Sequence, residues 1–298
     1  MVPILPITKG RCAASLKGMI LITGATGTIG SLTVRLLIER GETVRSMTRD
    51  LSRAPGGEAV QADFEDPRSL RQAFEGVSAA LLLTGFGQQL KEHDQAMIEA
   101  ARVAGVKKVV KLSAIGTGET EDPGDVRSWH VPGEEAIKAS GMSWTMLRPA
   151  GFASNSLGWA EAVRSGGPIP NFTGDGAQPI VDPRDIAAVA VAALTTSAHD
   201  SRIYELTGPD LLSVPAQVAI LAKVLGRPLE TAEIPIETAK EQMLASGADP
   251  TLVEVAGTGW TMLKEVGWPH VSDDIPSVLG RPATSYESWV RDHRAAFS

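Results

Sequence analysis

The 298-residue chain holds a single cysteine, Cys12. One thiol excludes an internal disulfide and any thiolate metal cluster, so the composition points to a reducing, cytoplasmic setting. The five histidines, His93, His130, His199, His270 and His293, lack metal-ligand spacing. Positive charge is short as well: Lys+Arg 28 against Asp+Glu 35 leaves a net charge of −7. A duplex-binding surface needs the opposite sign, so no nucleic-acid partner is expected. No run approaches the roughly 20 apolar residues of a bilayer-spanning helix, so no membrane association is expected either. Aromatic residues are scarce, at 5%, and all six tryptophans lie at or beyond Trp129. Flat apolar walls are therefore confined to the later part of the chain.

What remains is ordinary globular composition, 43% hydrophobic and 21% charged, on a chain long enough for one large α/β domain with a small annex. Residues 1–18 are interrupted by Pro3 and Pro6 and carry too short an apolar run for a secretory segment; they are expected to be a disordered extension. Met19 to Thr23 (MILIT) reads as a parallel strand covered on both faces. It leads into Gly24-Ala-Thr-Gly27-Thr-Ile-Gly30 and then a helix closed by Gly41. Further strands are expected at Thr43–Met47, Ala59–Gln61, Ala79–Leu83, Lys108–Leu112 and Trp144–Arg148. Helices are expected at Pro67–Phe74, Gln89–Ala104 and Gly133–Ser140. Six alternations predict a doubly wound parallel sheet of the Rossmann type, with a nucleotide-binding region at 19–150. After Pro149 the alternation weakens, and 151–298 is expected to be mainly a smaller substrate lobe. Its helices at Asp185–Leu194, Pro215–Leu225 and Thr238–Ala245 and its strand at Ile203–Leu206 include segments returning to the sheet.

A helix N-terminus offers unpaired backbone N–H groups and the positive end of the macrodipole. Glycines at 24, 27 and 30, placed between strand and helix, let a pyrophosphate approach that terminus. Gly24, Thr26, Gly27, Thr28, Ile29 and Gly30 are thus the expected cradle. At the end of the second strand an NAD binder places Asp or Glu against the ribose hydroxyls. Here Thr48 is followed by Arg49, a guanidinium able to grip a 2′-phosphate, which favours NADP(H) over NAD(H). Asp50 comes one step late. Asp63 and Phe64 are candidates for the adenine amine and ring face, and Thr84, Gly85 and Phe86 for the passage beneath ribose and nicotinamide.

The segments GATGTIG, VRSMTRD, ADF, KVVKLSAIG and HVPGEEAIKASGMSWTMLRPAGFASN resemble the NmrA-like group of atypical short-chain dehydrogenases/reductases, as do VDPRDIA, YELTGPDLLS and SYESWVRDH. That resemblance implies either an NADPH-dependent reductase of quinones, azo dyes or triphenylmethane dyes, or a non-catalytic NADP(H)-binding sensor acting through a protein partner. It places Pro149 and Phe152 beside the nicotinamide, and Asn155 toward the substrate cleft. It also exposes an absence, because the wider superfamily uses Tyr-x-x-x-Lys as its acid. Tyr204 and Tyr286 are the chain's two tyrosines, and neither has lysine four residues on. Epimerase chemistry on a nucleotide sugar is disfavoured for the same reason.

His130 and Glu134 stand in the matching place, and at a spacing of four they can share a helix face as a proton relay, the carboxylate raising the imidazole pKa. Alternatively Glu134 favours the helix N-terminus and His130 satisfies a loop carbonyl. Ser113, at the end of the fifth strand, could orient a substrate oxygen. Reducing a conjugated acceptor spreads the incoming charge over a π-system, so a strong acid matters less than for a simple ketone. The expectation is hydride transfer to a small planar acceptor of quinone or azo type. Trp159 and Trp260, with Phe86 and Asn155, are candidate walls; ordinary core filling remains open for each tryptophan. Asp185 is expected as a helix cap or ion-pair partner. The chain is expected to act as a monomer or homodimer.

Overall fold

The computed structural model describes residues 18–85, 87, 89–122 and 125–298. The expected extension, apart from Gly18, and the candidate Phe86 lie outside them. Strands β1 (Met19–Ile22), β2 (Val44–Thr48), β3 (Glu58–Gln61), β4 (Val77–Leu82), β5 (Lys108–Leu112) and β6 (Ser143–Pro149) alternate with helices α1 (Thr28–Glu39), α2 (Pro67–Phe74), α3 (Leu90–Val103), α4 (Val126–Trp129) and α5 (Val131–Ala139). Then follow β7 (Gly151–Phe152), α6 (Ala160–Ser165), β8 (Ile169–Asn171), β9 (Gln178–Val181), α7 (Pro183–Thr195), β10 (Arg202–Leu206), β11 (Leu211–Leu212), α8 (Val214–Leu225) and β12 (Thr231–Glu233). Helices α9 (Ile236–Ala245), α10 (Pro250–Glu265), α11 (Asp274–Leu279) and α12 (Tyr286–Asp292) complete the chain.

The main sheet is seven strands in the order β10-β6-β5-β4-β1-β2-β3, every pair parallel. Parallel strands need crossovers, and these coat both faces. On one side Ile29, Val34 and Leu37 of α1 and Ile186, Val189 and Ala190 of α7 pack on Ile20 and Ile22. On the other, Leu70 and Phe74 of α2, Met97 and Ala101 of α3 and Ile137 of α5 close over Leu21, Ala80 and Val109. The fold is therefore doubly wound. Strand order reverses between β1 and β4, and in such sheets the ligand crevice opens above the carboxyl ends of that pair.

Six strands come from the regular alternation and the seventh, β10, from the later half, pairing with β6 from Arg202↔Thr145 to Leu206↔Pro149. The rest of that half builds two small sheets, β11-β9-β7 and β12-β8, and its own core of Val163, Ile169, Val218, Leu221, Tyr286 and Trp289. Buried carboxylates fasten it to α7. Asp182 caps the helix at Arg184 N and grips the Arg184 guanidinium, which reaches Asp292 at 2.6 Å. Asp185 pairs with Arg281 at 2.6 Å and accepts from the Thr284 N–H. Of the two roles open to Asp185, it takes the ion pair.

Candidate active site

The crevice begins where β1 ends. Gly24 has φ +53°, a left-handed conformation that glycine adopts without strain. Gly27 then caps α1 in extended geometry, with no side chain bonded to the helix amides and no acidic residue in the first turn. Gly27 and Thr28 are exposed, Gly24 and Thr26 half-exposed, while Ile29 and Gly30 are buried in the helix–strand contact. A Cβ on Gly30 would clash with the Gly24 carbonyl oxygen and lie 2.8 Å from Ala25 Cα. Among the described residues a Cβ on Gly27 would meet only Gly24 O, 3.3 Å away, so the space above the uncapped amides is open there. An uncapped, positively polarised helix end in open space fits a diphosphate.

At the end of β2, Thr48 Oγ1 is occupied with the Asp50 backbone, and the Asp50 carboxylate takes Ser52 N–H and Oγ–H. Those hydrogen bonds hold the Asp50 carboxyl below its usual range. Arg49 is exposed, and its guanidinium has no hydrogen bond or ion pair among the described residues. Asp63, exposed, accepts from Glu65 N–H at 3.0 Å. The half-buried Phe64 ring tilts against His93, with centroids 5.2 Å apart. Across the switch point Gly85 is exposed, and Thr84 Oγ1–H donates to Asp94 Oδ1 at 2.6 Å.

Beyond β5, Ser113 N–H bonds Leu147 O at 2.7 Å, and its hydroxyl is buried with no hydrogen-bond partner among the described residues. A buried unpaired hydroxyl is costly and marks a place where a ligand oxygen fits. Pro149 is buried and its carbonyl holds Ile115 N–H, so the ends of β5 and β6 are laced together. Phe152 packs half-buried on the sheet core.

The expected His130–Glu134 relay is not what the side chains form. Glu134 is buried and takes two of the Arg148 nitrogens, Nε at 3.0 Å and Nη2 at 2.7 Å, with Lys138 at 3.6 Å. His130 is 3% exposed, and burial, then the charges of Lys111 and Arg148, push its pKa down to about 3. The imidazole is neutral at physiological pH instead of being raised by a carboxylate, because burial and then the charges of Lys111 and Arg148 oppose its protonation.

The candidate walls separate. Asn155 is exposed. Trp159 packs against the lobe core around Val163, and Trp260 of α10 lies against Phe172, with centroids 4.6 Å apart. Two features lay outside the expectation. Trp268 covers the loop after Ser113: a Cβ on Gly116 would lie 2.5 Å from its Cη2, and the Arg127 guanidinium stands 5.8 Å from its ring. Lys111 and Asp94 form a fully buried ion pair at 2.6 Å. A lysine inside KVVKL was its sequence signal, since a charge in a buried strand needs a partner. Among the described residues no helix is long and apolar enough to cross a membrane.

A family model described as NAD(P)H-binding matches residues 24–197, more than half of the chain. The chain is 35% identical to the (4-alkanoyl-5-oxo-2,5-dihydrofuran-3-yl)methyl phosphate reductase of Streptomyces griseus over 94% of its own length and 99% of that protein. It is 34% identical to the NAD(P)H azoreductase of Xenophilus azovorans, over 94% and 99%. The structure of an NADPH-dependent quinone oxidoreductase from Escherichia coli, complexed with NADPH, superposes with a TM-score of 0.81 at 24% identity, covering 93% of this chain and all of that one. With the glycine cradle, the doubly wound sheet and relatives spanning nearly the whole length, the chain belongs to the NAD(P)H-binding family, in the NmrA-like group of atypical short-chain dehydrogenases/reductases, and it is a reductase.

Proposed function

We propose that this reductase takes NADPH in preference to NADH and delivers hydride to a small planar acceptor whose reducible bond is conjugated. Quinones, azo compounds and unsaturated lactones share that property. The observation that carries the reading is the placement of both tyrosines. Tyr286 is buried in the lobe core, donating to Ser156 Oγ at 2.7 Å, and burial pushes its pKa far up. Tyr204 is bonded to His199 Nδ1 at 2.8 Å on the outermost strand, β10. With each tyrosine held elsewhere and His130 neutral, an acceptor has to delocalise the charge it gains.

NADPH would be held by the α1 amides around Gly27, by Arg49 at its 2′-phosphate, and by Asp63, Phe64, Thr84 and Gly85 along the adenosine and ribose. When bound, it supplies the hydride. The chain's own work is to orient and to exclude water. Ser113 Oγ–H would donate to an acceptor heteroatom, Pro149 and Phe152 would confine the nicotinamide edge, and Trp260 with Asn155 would border the acceptor. His130 would stay neutral and donate a hydrogen bond, with solvent completing protonation. In this reading 19–150 is the nucleotide region and 151–298 mainly the acceptor lobe. The enzyme works in the cytoplasm, where a one-cysteine chain is at home, as a monomer or homodimer.

The test is NADPH oxidation, followed by absorbance, with a panel of benzoquinones, azo dyes and 2-furanones. At least one class is expected to accelerate oxidation, and His130→Ala to lower kcat by less than about tenfold, the loss of one hydrogen bond and not of an acid. NADPH binding without acceleration by any class would leave the sensor reading in its place. Arg49→Ala is expected to raise the Kd for NADPH about 10- to 100-fold, the worth of a charge-assisted contact, and to leave that for NADH nearly unchanged. Equal weakening of both, read by fluorescence titration, would remove Arg49 from the 2′-phosphate.

A further inference from the structure

Beneath the carboxyl ends of β4, β5 and β6 lies a polar unit that the steps above leave without a task. Its centre is the Lys111–Asp94 pair, both side chains fully buried. Asp94 also holds the Thr84 hydroxyl, at the mouth of the loop leaving β4. Helix α5 is seated directly on the pair: a Cβ on Gly133 would strike Asp94 Oδ2 and lie 3.1 Å from Lys111 Cε. Three residues earlier stands His130, and Lys111 lies two residues before Ser113, which follows the last residue of β5. A second pair, Glu134–Arg148, lies alongside, and the positive members of both pairs act on His130.

Stability gives little reason to keep such a pair. Well-packed apolar residues of similar volume are commonly as stable as a buried ion pair, or more so. Lys111 stands beside the buried Val109 and Val110, where an aliphatic side chain would serve.

We infer that Lys111 is a positioning residue of the reduction: anchored by Asp94, it locks the Thr84 loop on the cofactor side to the His130–Gly133 turn on the acceptor side, and holds positive charge under the Ser113 end of β5. This rests on the crevice being the site of reduction proposed above. The charge lies where the acceptor gains negative character, and a cation fixed in advance stabilises that change without reorganising. The arrangement takes over electrostatically part of what a tyrosine acid would do by proton transfer.

The single variant Lys111→Met strands a buried carboxylate, so the decisive variant is the double one, Lys111→Met with Asp94→Leu. It is expected to melt at or near the parent temperature and to bind NADPH within about threefold of the parent. With an accepted quinone its kcat is expected to fall roughly 10- to 100-fold while KM changes less than about threefold. A kcat within about twofold of the parent would overturn the inference, as would a fall that appears wholly in KM. Hydrogen exchange decides the positional half without any turnover. Amides 90–94 and those of residues 130, 131 and 133–135 are expected to exchange faster together in the NADPH-bound double variant, and unchanged exchange in either segment overturns the coupling. A parent that reduces no acceptor sinks the proposed function, and the exchange result still judges Lys111.

Discussion

Gly27→Ala is expected to abolish useful NADPH affinity and leave the fold intact, whereas Gly30→Ala loses the affinity and destabilises the fold as well. At Gly27 the backbone is extended, φ −79° and ψ 175°, which any residue adopts, and among the described residues a methyl would press only on Gly24 O at 3.3 Å. The folded protein therefore has little to object to. The methyl would, however, project over the uncapped α1 amides, where the diphosphate must approach the backbone. A loss of about 100-fold in affinity, near 2.8 kcal/mol, is expected from that displacement. At Gly30 a methyl would run into Gly24 O and Ala25 Cα, both backbone atoms that cannot swing aside. Helix α1 would have to lift off β1, and its Ile29, Val34 and Leu37 contacts belong to the main core. Overpacking of this kind costs about 1–3 kcal/mol in addition to the lost cofactor site. Thermal melting and NADPH titration of the two variants separate these effects. A Gly27→Ala protein that binds NADPH like its parent would move the diphosphate away from this helix.

The same chemistry explains what the sequence made legible. MILIT, the glycine turn and the α1 periodicity are local signals: a short apolar run, three glycines at a fixed spacing and one buried face can each be read without knowing the rest of the fold. β10 was visible as a strand, yet its place beside β6 is a tertiary matter, carried by α7 recrossing the sheet. Helix α10 was missed although Asp249 and Pro250 announce it, Asp249 accepting from Thr251 N–H and Leu252 N–H. Its interior Gly257 and Gly259 argue against a helix by propensity. Packing reverses that argument at Gly257, where a Cβ would lie 3.0 Å from Lys240 Cδ, so the glycine lets α9 and α10 close.

In the site, positions were easier to read than partners. A spacing of four puts His130 and Glu134 on neighbouring turns. It cannot say that Arg148, fourteen residues on and on a different element, reaches Glu134 first. The same holds for Asp94 and Lys111, which only the packing of α3 against the sheet brings together. Pairings across elements decide the site's electrostatics, and they leave no mark in a single strand or helix.

Those electrostatics fix the acid behaviour of the protein. His130 titrates near its ordinary 6.5 when the chain is unfolded and near 3 when it is folded, because burial, Lys111 and Arg148 all oppose its charge. As pH falls below about 6.5, the unfolded chain takes up a proton that the folded chain refuses, so stability drains away at up to about 1.4 kcal/mol per pH unit until the folded value is reached. Above that upper value the contribution is complete and flat. His130→Gln removes the titration while keeping a neutral polar side chain. Relative to it, the parent is expected to lose about 3 kcal/mol by pH 4, read as a divergence of urea midpoints that begins near pH 6.5. Other acid-sensitive groups cancel in the difference. Asp125 is one: burial alone would raise its pKa, but its hydrogen bonds to Arg127 hold it low in both proteins. Parallel curves down to pH 4 would mean that His130 protonates in the folded state. The dry, cationic surroundings of His130 would then not hold in solution, and an imidazolium would return as the proton donor.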